Sequence, residues 1–215
     1  MHVQTYADAY AGTYSVEGVD AHGQPYAGTM RLELKGIFLH ADADLGPRGN
    51  RYGLAMPFKD RLVMAFGARD LVEIGAYDLR GDQVHGMWVP PGAADEDLSK
   101  CGREESVVES PGVWRIRQAK AVDGSAYTGV VRLTPAKGAS FENPPTPAVM
   151  TWSLHDGEYG SFGLAYPDAV YSTFHLSKDE PRHGVAVYEV RQNLLVGRWL
   201  EAGAAVTGSE TLTRQ

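Results

Sequence analysis

Hydrophobic and polar positions alternate along most of this chain. At 26–34, Tyr26, Gly28, Met30, Leu32 and Leu34 fall on one face, and Thr29, Arg31 and Glu33 on the other. At 75–79, Gly75, Tyr77 and Leu79 oppose Asp78; at 62–66, Leu62, Met64 and Phe66 line up. A period of two with one polar face marks a half-buried antiparallel strand. Helical periodicity is scarce, and its best candidate, DEDLSK at 95–100, is too short for a helix. Alternating segments lie near 11–18, 26–35, 37–43, 51–57, 61–67, 71–80, 83–89 and 102–108, separated by the turn signals DAHGQP, LGPRGN, FKD and RGDQ. Strands joined this closely form a meander, and a strongly twisted meander of eight closes on itself, which removes its edges.

The pattern is then written a second time. AYDLRGDQVHGMW at 76–88 matches VYEVRQNLLVGRW at 187–199, pairing Tyr77 with Tyr188, Gly86 with Gly197 and Trp88 with Trp199 at an offset of 111. HGQPYAGTMRL at 22–32 matches DGSAYTGVVRL at 123–133, YGLAMP at 52–57 matches FGLAYP at 162–167, and CGREESVV at 101–108 matches TGSETLTR at 207–214. The first of these carries Tyr26 onto Tyr127, and the last carries Glu104 onto Glu210. By the same matching, Phe174 and Leu176 answer Met64 and Phe66. A period of about 100 residues is a domain period, too long for a solenoid repeat. The predicted boundary falls at Ser110–Pro111. The expected fold is all-β: two tandem eight-stranded antiparallel up-and-down barrels, residues 1–110 and 111–215.

Each repeat opens on Gly-x-aromatic, Gly12-Thr13-Tyr14 and Gly112-Val113-Trp114, and carries Gly86-Met87-Trp88 or Gly197-Arg198-Trp199 late. An eight-stranded meander with this opening resembles the calycin superfamily, the lipocalin- and avidin-like barrels. The resemblance implies a closed barrel with room for side chains or one small ligand. It implies no particular activity, because fold alone does not fix function.

Composition narrows the partners. The chain has 215 residues and a formal charge of −7. An acidic surface disfavours nucleic acid and anionic membranes. One cysteine, Cys101, excludes an intrachain disulfide; Lys100 and Arg103 beside it would lower its pKa. No basic leader or long apolar run is seen, so the expected location is the cytoplasm. No P-loop, nucleophile elbow or dinucleotide fingerprint is present, and no cofactor is expected.

Three groups of residues could carry chemistry. In FLHADADLG, His40, Asp42 and Asp44 would share one strand face, but three potential ligands without further support do not make a metal site, and none is expected. The repeated Glu104 and Glu210, if inward, would sit near Tyr77 and Tyr188, since a buried carboxylate needs donors. Tyr14, Tyr26, Tyr52, Tyr77 and Trp88 recur as Trp114, Tyr127, Phe162, Tyr188 and Trp199. These ten rings with Glu104 and Glu210 form the candidate ligand-binding lining, suited to a small apolar or aromatic molecule. It suits a solid core equally. Ile74, Ala76, Val185 and Val187 would face outward and could make a barrel–barrel or homo-oligomer contact. Three readings follow: a small-molecule binding protein, a scaffold of filled barrels, or an enzyme using a barrel mouth. No readable nucleophile–base pair favours the last.

Overall fold

The computed structural model describes residues 7–68, 72–90, 101–174 and 183–215. The segment DEDLSK, Lys100 and Leu176 lie outside the described residues. Sixteen strands follow one another: β1 (Gly12–Val19), β2 (Pro25–Lys35), β3 (Phe38–Asp44), β4 (Asn50–Phe58), β5 (Arg61–Gly67), β6 (Ile74–Arg80), β7 (Gln83–Val89), β8 (Gly102–Ser110), β9 (Val113–Lys120), β10 (Ala126–Pro135), β11 (Thr146–Leu154), β12 (Gly157–Tyr166), β13 (Ala169–Phe174), β14 (Gly184–Arg191), β15 (Leu194–Glu201) and β16 (Gly208–Arg214). They close into two eight-stranded antiparallel barrels.

The barrels do not follow the repeats. β6–β13 form one uninterrupted barrel, while β1–β5 and β14–β16 form the other. The first is inserted into the second, so we call them the inserted and the split barrel. β5 pairs with β14, Val63 opposite Val187, and β13 pairs with β6, Tyr171 opposite Ala76. Each barrel thus joins five strands of one repeat to the last three of the other. The expected division at Ser110–Pro111 is a repeat boundary only: it is the turn between β8 and β9, inside the inserted barrel. The physical reason is that β6 and β14 are copies. Either can complete the edge of β5 with the same inward face, and alternation reports the face without saying which copy pairs.

Three apolar clusters result. Tyr14, Met30, Leu32, Met64, Phe66 and Trp199 fill the split barrel. Trp114, Ile116, Val131, Met150 and Trp152 line the inserted barrel. The third lies between the outer walls, where Leu54, Met56, Val63, Val185 and Val187 of the split barrel meet Ile74, Ala76, Leu164 and Tyr171. The outward apolar residues noted in the sequence are therefore buried against each other within one chain. A polar seam borders this contact. Lys59 Nζ lies 2.9 Å from Asp78 Oδ1 and 3.0 Å from Asp168 Oδ2, and Arg61 Nη1 donates to Asp168 Oδ1 and to the Tyr171 hydroxyl, both at 3.0 Å.

The ladders also correct part of the repeat alignment. Fixing Tyr77 on Tyr188 and following the pairings around each barrel places Ser172 where Met64 sits and Phe174 where Phe66 sits. The same path puts Tyr159 at the place of Arg51. YGLAMP and FGLAYP are alike as strings but stand two residues out of register in the barrels.

Candidate functional site

In the split barrel the space around Glu210 is filled from within. Glu210, on β16, is fully buried and accepts a 2.6 Å hydrogen bond from the Tyr26 hydroxyl and another from Tyr188. Arg51 Nη1, on β4, donates to both carboxylate oxygens at 3.0 and 3.2 Å. Burial alone would lower the Arg51 pKa; Glu210 and the two phenols more than reverse this, and the guanidinium is held charged. The Arg51 guanidinium also lies 4.4 Å from the centre of the Phe66 ring. Above it a second arginine covers the rings and lines the outer hollow of the barrel. Arg48, in the short 3₁₀ turn Gly46–Arg48, stacks over Trp199 at 4.6 Å and Tyr26 at 5.0 Å. It bonds Glu201 Oε1 at 2.6 Å and Asp20 Oδ2 at 3.2 Å. The opposite end is capped by the 3₁₀ turn Asp8–Tyr10, where Tyr14 donates to the Tyr10 carbonyl at 2.8 Å.

The inserted barrel keeps this frame and omits both arginines. Glu104 on β8 occupies the place of Glu210, paired opposite Gly86 as Glu210 is opposite Gly197. Its donors are neutral: Ser106 Oγ at 3.1 Å and the Tyr127 hydroxyl at 3.3 Å. Trp152 and Trp114 also turn their indoles toward it, although Trp114 Nε1 does not complete a hydrogen bond. Burial pushes the Glu104 carboxyl up to about 7 against the pull of these donors. Trp88 Nε1 donates to the Tyr127 hydroxyl at 3.0 Å. The connection that carries Arg48 in the split barrel is here the two-residue turn His155–Asp156, since Leu154 pairs with Gly157. Tyr159, in the place of Arg51, turns to the rim and donates to Asp156 Oδ2 at 3.0 Å.

What remains is an open cavity of about 590 Å³. Trp88, Trp152, Tyr77, Tyr127 and Tyr159 wall it, and His155 and Asp156 stand at its mouth. Glu73, just before β6, also lines it, although only 6 % exposed. No described residue hydrogen-bonds or ion-pairs with Glu73, and burial raises its carboxyl to about 8. The corresponding residue of the split barrel is Gly184, where a Cβ would stand 2.4 Å from Phe66 Cζ, so no side chain fits.

Of the residues proposed from sequence, Tyr14, Tyr26, Tyr188, Trp199 and Glu210 meet inside the split barrel, and Tyr77, Trp88, Glu104, Trp114 and Tyr127 inside the inserted one. Tyr52 and Phe162 do not join them. Both sit on outer faces against the inter-barrel cluster, Tyr52 beside His40 and Phe162 edge-on to His183 at 5.4 Å. The inward residues of β4 and β12 are Arg51, Gly53 and Ala55, and Tyr159, Ser161 and Gly163; Tyr52 and Phe162 belong to the opposite parity. Sequence comparison missed Glu73, Trp152 and the two arginines because none recurs between the copies. On β3, Leu39, Ala41 and Ala43 face the core; His40 is buried on the outer face, and Asp42 and Asp44 are exposed. Among the described residues no group of three His, Cys, Asp or Glu is placed to hold a metal ion. Cys101 is half-buried, and burial pushes its thiol up, outweighing Arg103.

No family model matches the chain, and no curated protein or solved structure is significantly similar to it.

Proposed function

We propose that this is a calycin-like binding protein whose inserted barrel takes up one small, largely apolar or aromatic molecule, while the split barrel is a structural partner. The supporting observation is the asymmetry of two copies of one frame. In one, Arg48 and Arg51 occupy the space above Glu210, and the hollow of about 610 Å³ outside Arg48 is lined mainly by small and charged residues; the other opens on a ring-walled cavity of about 590 Å³. That volume is within the range of small-molecule sites, roughly 300–1,000 Å³, and its walls are mainly aromatic with a few polar groups. A scaffold role draws less support, since the apolar outer positions on β6 and β14 are already buried against each other.

The test is titration with the neutral fluorophore N-phenyl-1-naphthylamine, in the wild type and in Ala126→Trp. Ala126 is exposed at the cavity rim, so a larger side chain obstructs the mouth without entering the core. Saturable binding by the wild type, weakened about tenfold or more in the variant, supports the proposal. Equal behaviour of the two proteins contradicts it.

A further inference from the structure

The two barrels differ in charge as well as in openness. Inside the split barrel one carboxylate, Glu210, is answered by one guanidinium, Arg51. The guanidinium of Arg48 lies just above, against the rings of Tyr26 and Trp199. The inserted barrel preserves the carboxylate as Glu104 and those rings as Tyr127 and Trp88, and it adds a second acid, Glu73. Its cavity lining contains no arginine or lysine among the described residues. Glu73 borders the cavity directly; Glu104 lies behind the Tyr127 hydroxyl. A buried acid without a partner is costly, so such groups are met by a cation or kept protonated.

Resting on the proposed binding role, we infer that the ligand of the inserted barrel is an organic monocation, an amidinium, guanidinium or ammonium group on an apolar body. Its charged head meets Glu73, with Glu104 and the Tyr127 hydroxyl beyond, and stacks among Trp88, Trp152 and Tyr77. The split barrel shows that this frame accepts a guanidinium, with ring distances of 4.6 and 5.0 Å that fall within cation–π range. There the chain supplies the cation itself. In the inserted barrel Tyr159 replaces one arginine and the two-residue turn removes the other.

The test compares benzamidine with benzamide, two molecules of nearly the same shape that differ in charge. Each is used to displace N-phenyl-1-naphthylamine and is measured directly by calorimetry, in the wild type, Glu73→Gln and Glu104→Gln. Benzamidine should bind about tenfold or more tighter than benzamide, and Glu73→Gln should remove most of that preference. Glu104→Gln should reduce it by less, because Glu104 is set further back. Benzamidine affinity should rise with pH between 6 and 9, as Glu73 and Glu104, raised by burial to about 8 and about 7, lose their protons. The phenols of Tyr77 and Tyr127 beside them stay neutral, their ionisation pushed up by burial and by these same carboxyls. Benzamide, which meets the same His155 and Asp156 at the mouth, should show no such rise. If the fluorophore binds but benzamidine and benzamide compete equally, the cation inference is overturned and the cavity reading stands. A preference that survives in Glu73→Gln overturns the assignment of the anchor. If none of the three molecules binds the wild type, the binding role itself fails.

Discussion

Glu104 and Glu210 occupy the same place in two barrels, and their surroundings set them apart. Glu104 has only neutral donors, and burial raises its carboxyl from 4.5 to about 7. Between those values the unfolded chain has released this proton while the folded chain retains it. Stability therefore falls as pH rises through that window and levels off above it, by roughly 3 kcal/mol for this one group. Thermal melts should show Glu104→Gln gaining on the wild type from pH 5 to pH 8. In the split barrel, Arg51→Met leaves Glu210 buried with phenols alone and should cost about 3–5 kcal/mol in chemical denaturation. Adding Glu210→Gln to Arg51→Met should restore most of that loss, because the penalty comes from a charge without its partner.

At the scale of the strand, the repeated Gly-x-Trp motif has a steric cause. A Cβ on Gly86 would lie 2.5 Å from the Tyr77 ring, and one on Gly197 would lie 2.4 Å from Tyr188. The glycine on each seventh strand of a repeat makes room for the tyrosine of the sixth. Gly197→Ala should destabilise the fold by about 1–3 kcal/mol, an overpacking cost measurable in urea. This much was legible from sequence, since small residue, ring and parity recur together. Strand number and facing were legible as well, because a period of two survives divergence. Parity fails only where a ring sits on an outer face that is also buried. Tyr52 and Phe162 are such rings: on the outer faces of β4 and β12, they lie where the second barrel covers the wall. Alternation alone could not tell the inter-barrel face from the interior. The site itself was half legible. Its conserved frame recurs in both copies, whereas Glu73, Trp152 and the two arginines each occur once, and matching copies reveals only what they share.

At the scale of the molecule, the strand exchange accounts for keeping both copies on one chain. Each repeat supplies five strands to one barrel and three to the other, so neither repeat closes a barrel of this structure alone. The pairs Tyr26–Glu210 and Tyr127–Glu104 each join residues from different repeats. The contact between the walls adds a continuous apolar cluster. Val187→Lys places a charge in that cluster, where Val187 is 1 % exposed, and should lower the melting temperature by several degrees or more, as buried unpaired charges do.

The most direct measurement uses the four tryptophans. Trp88, Trp114 and Trp152 belong to the inserted barrel and Trp199 to the split one. The ¹H–¹⁵N spectrum of the protein therefore offers four indole signals, assignable by single Trp→Phe substitutions, that report on the two interiors separately. A binding site in the inserted barrel requires that, on titration with N-phenyl-1-naphthylamine, Trp88 and Trp152 shift and saturate while Trp199, covered by Arg48, stays in place. A spectrum in which Trp199 moves instead, or in which no indole responds, would contradict it.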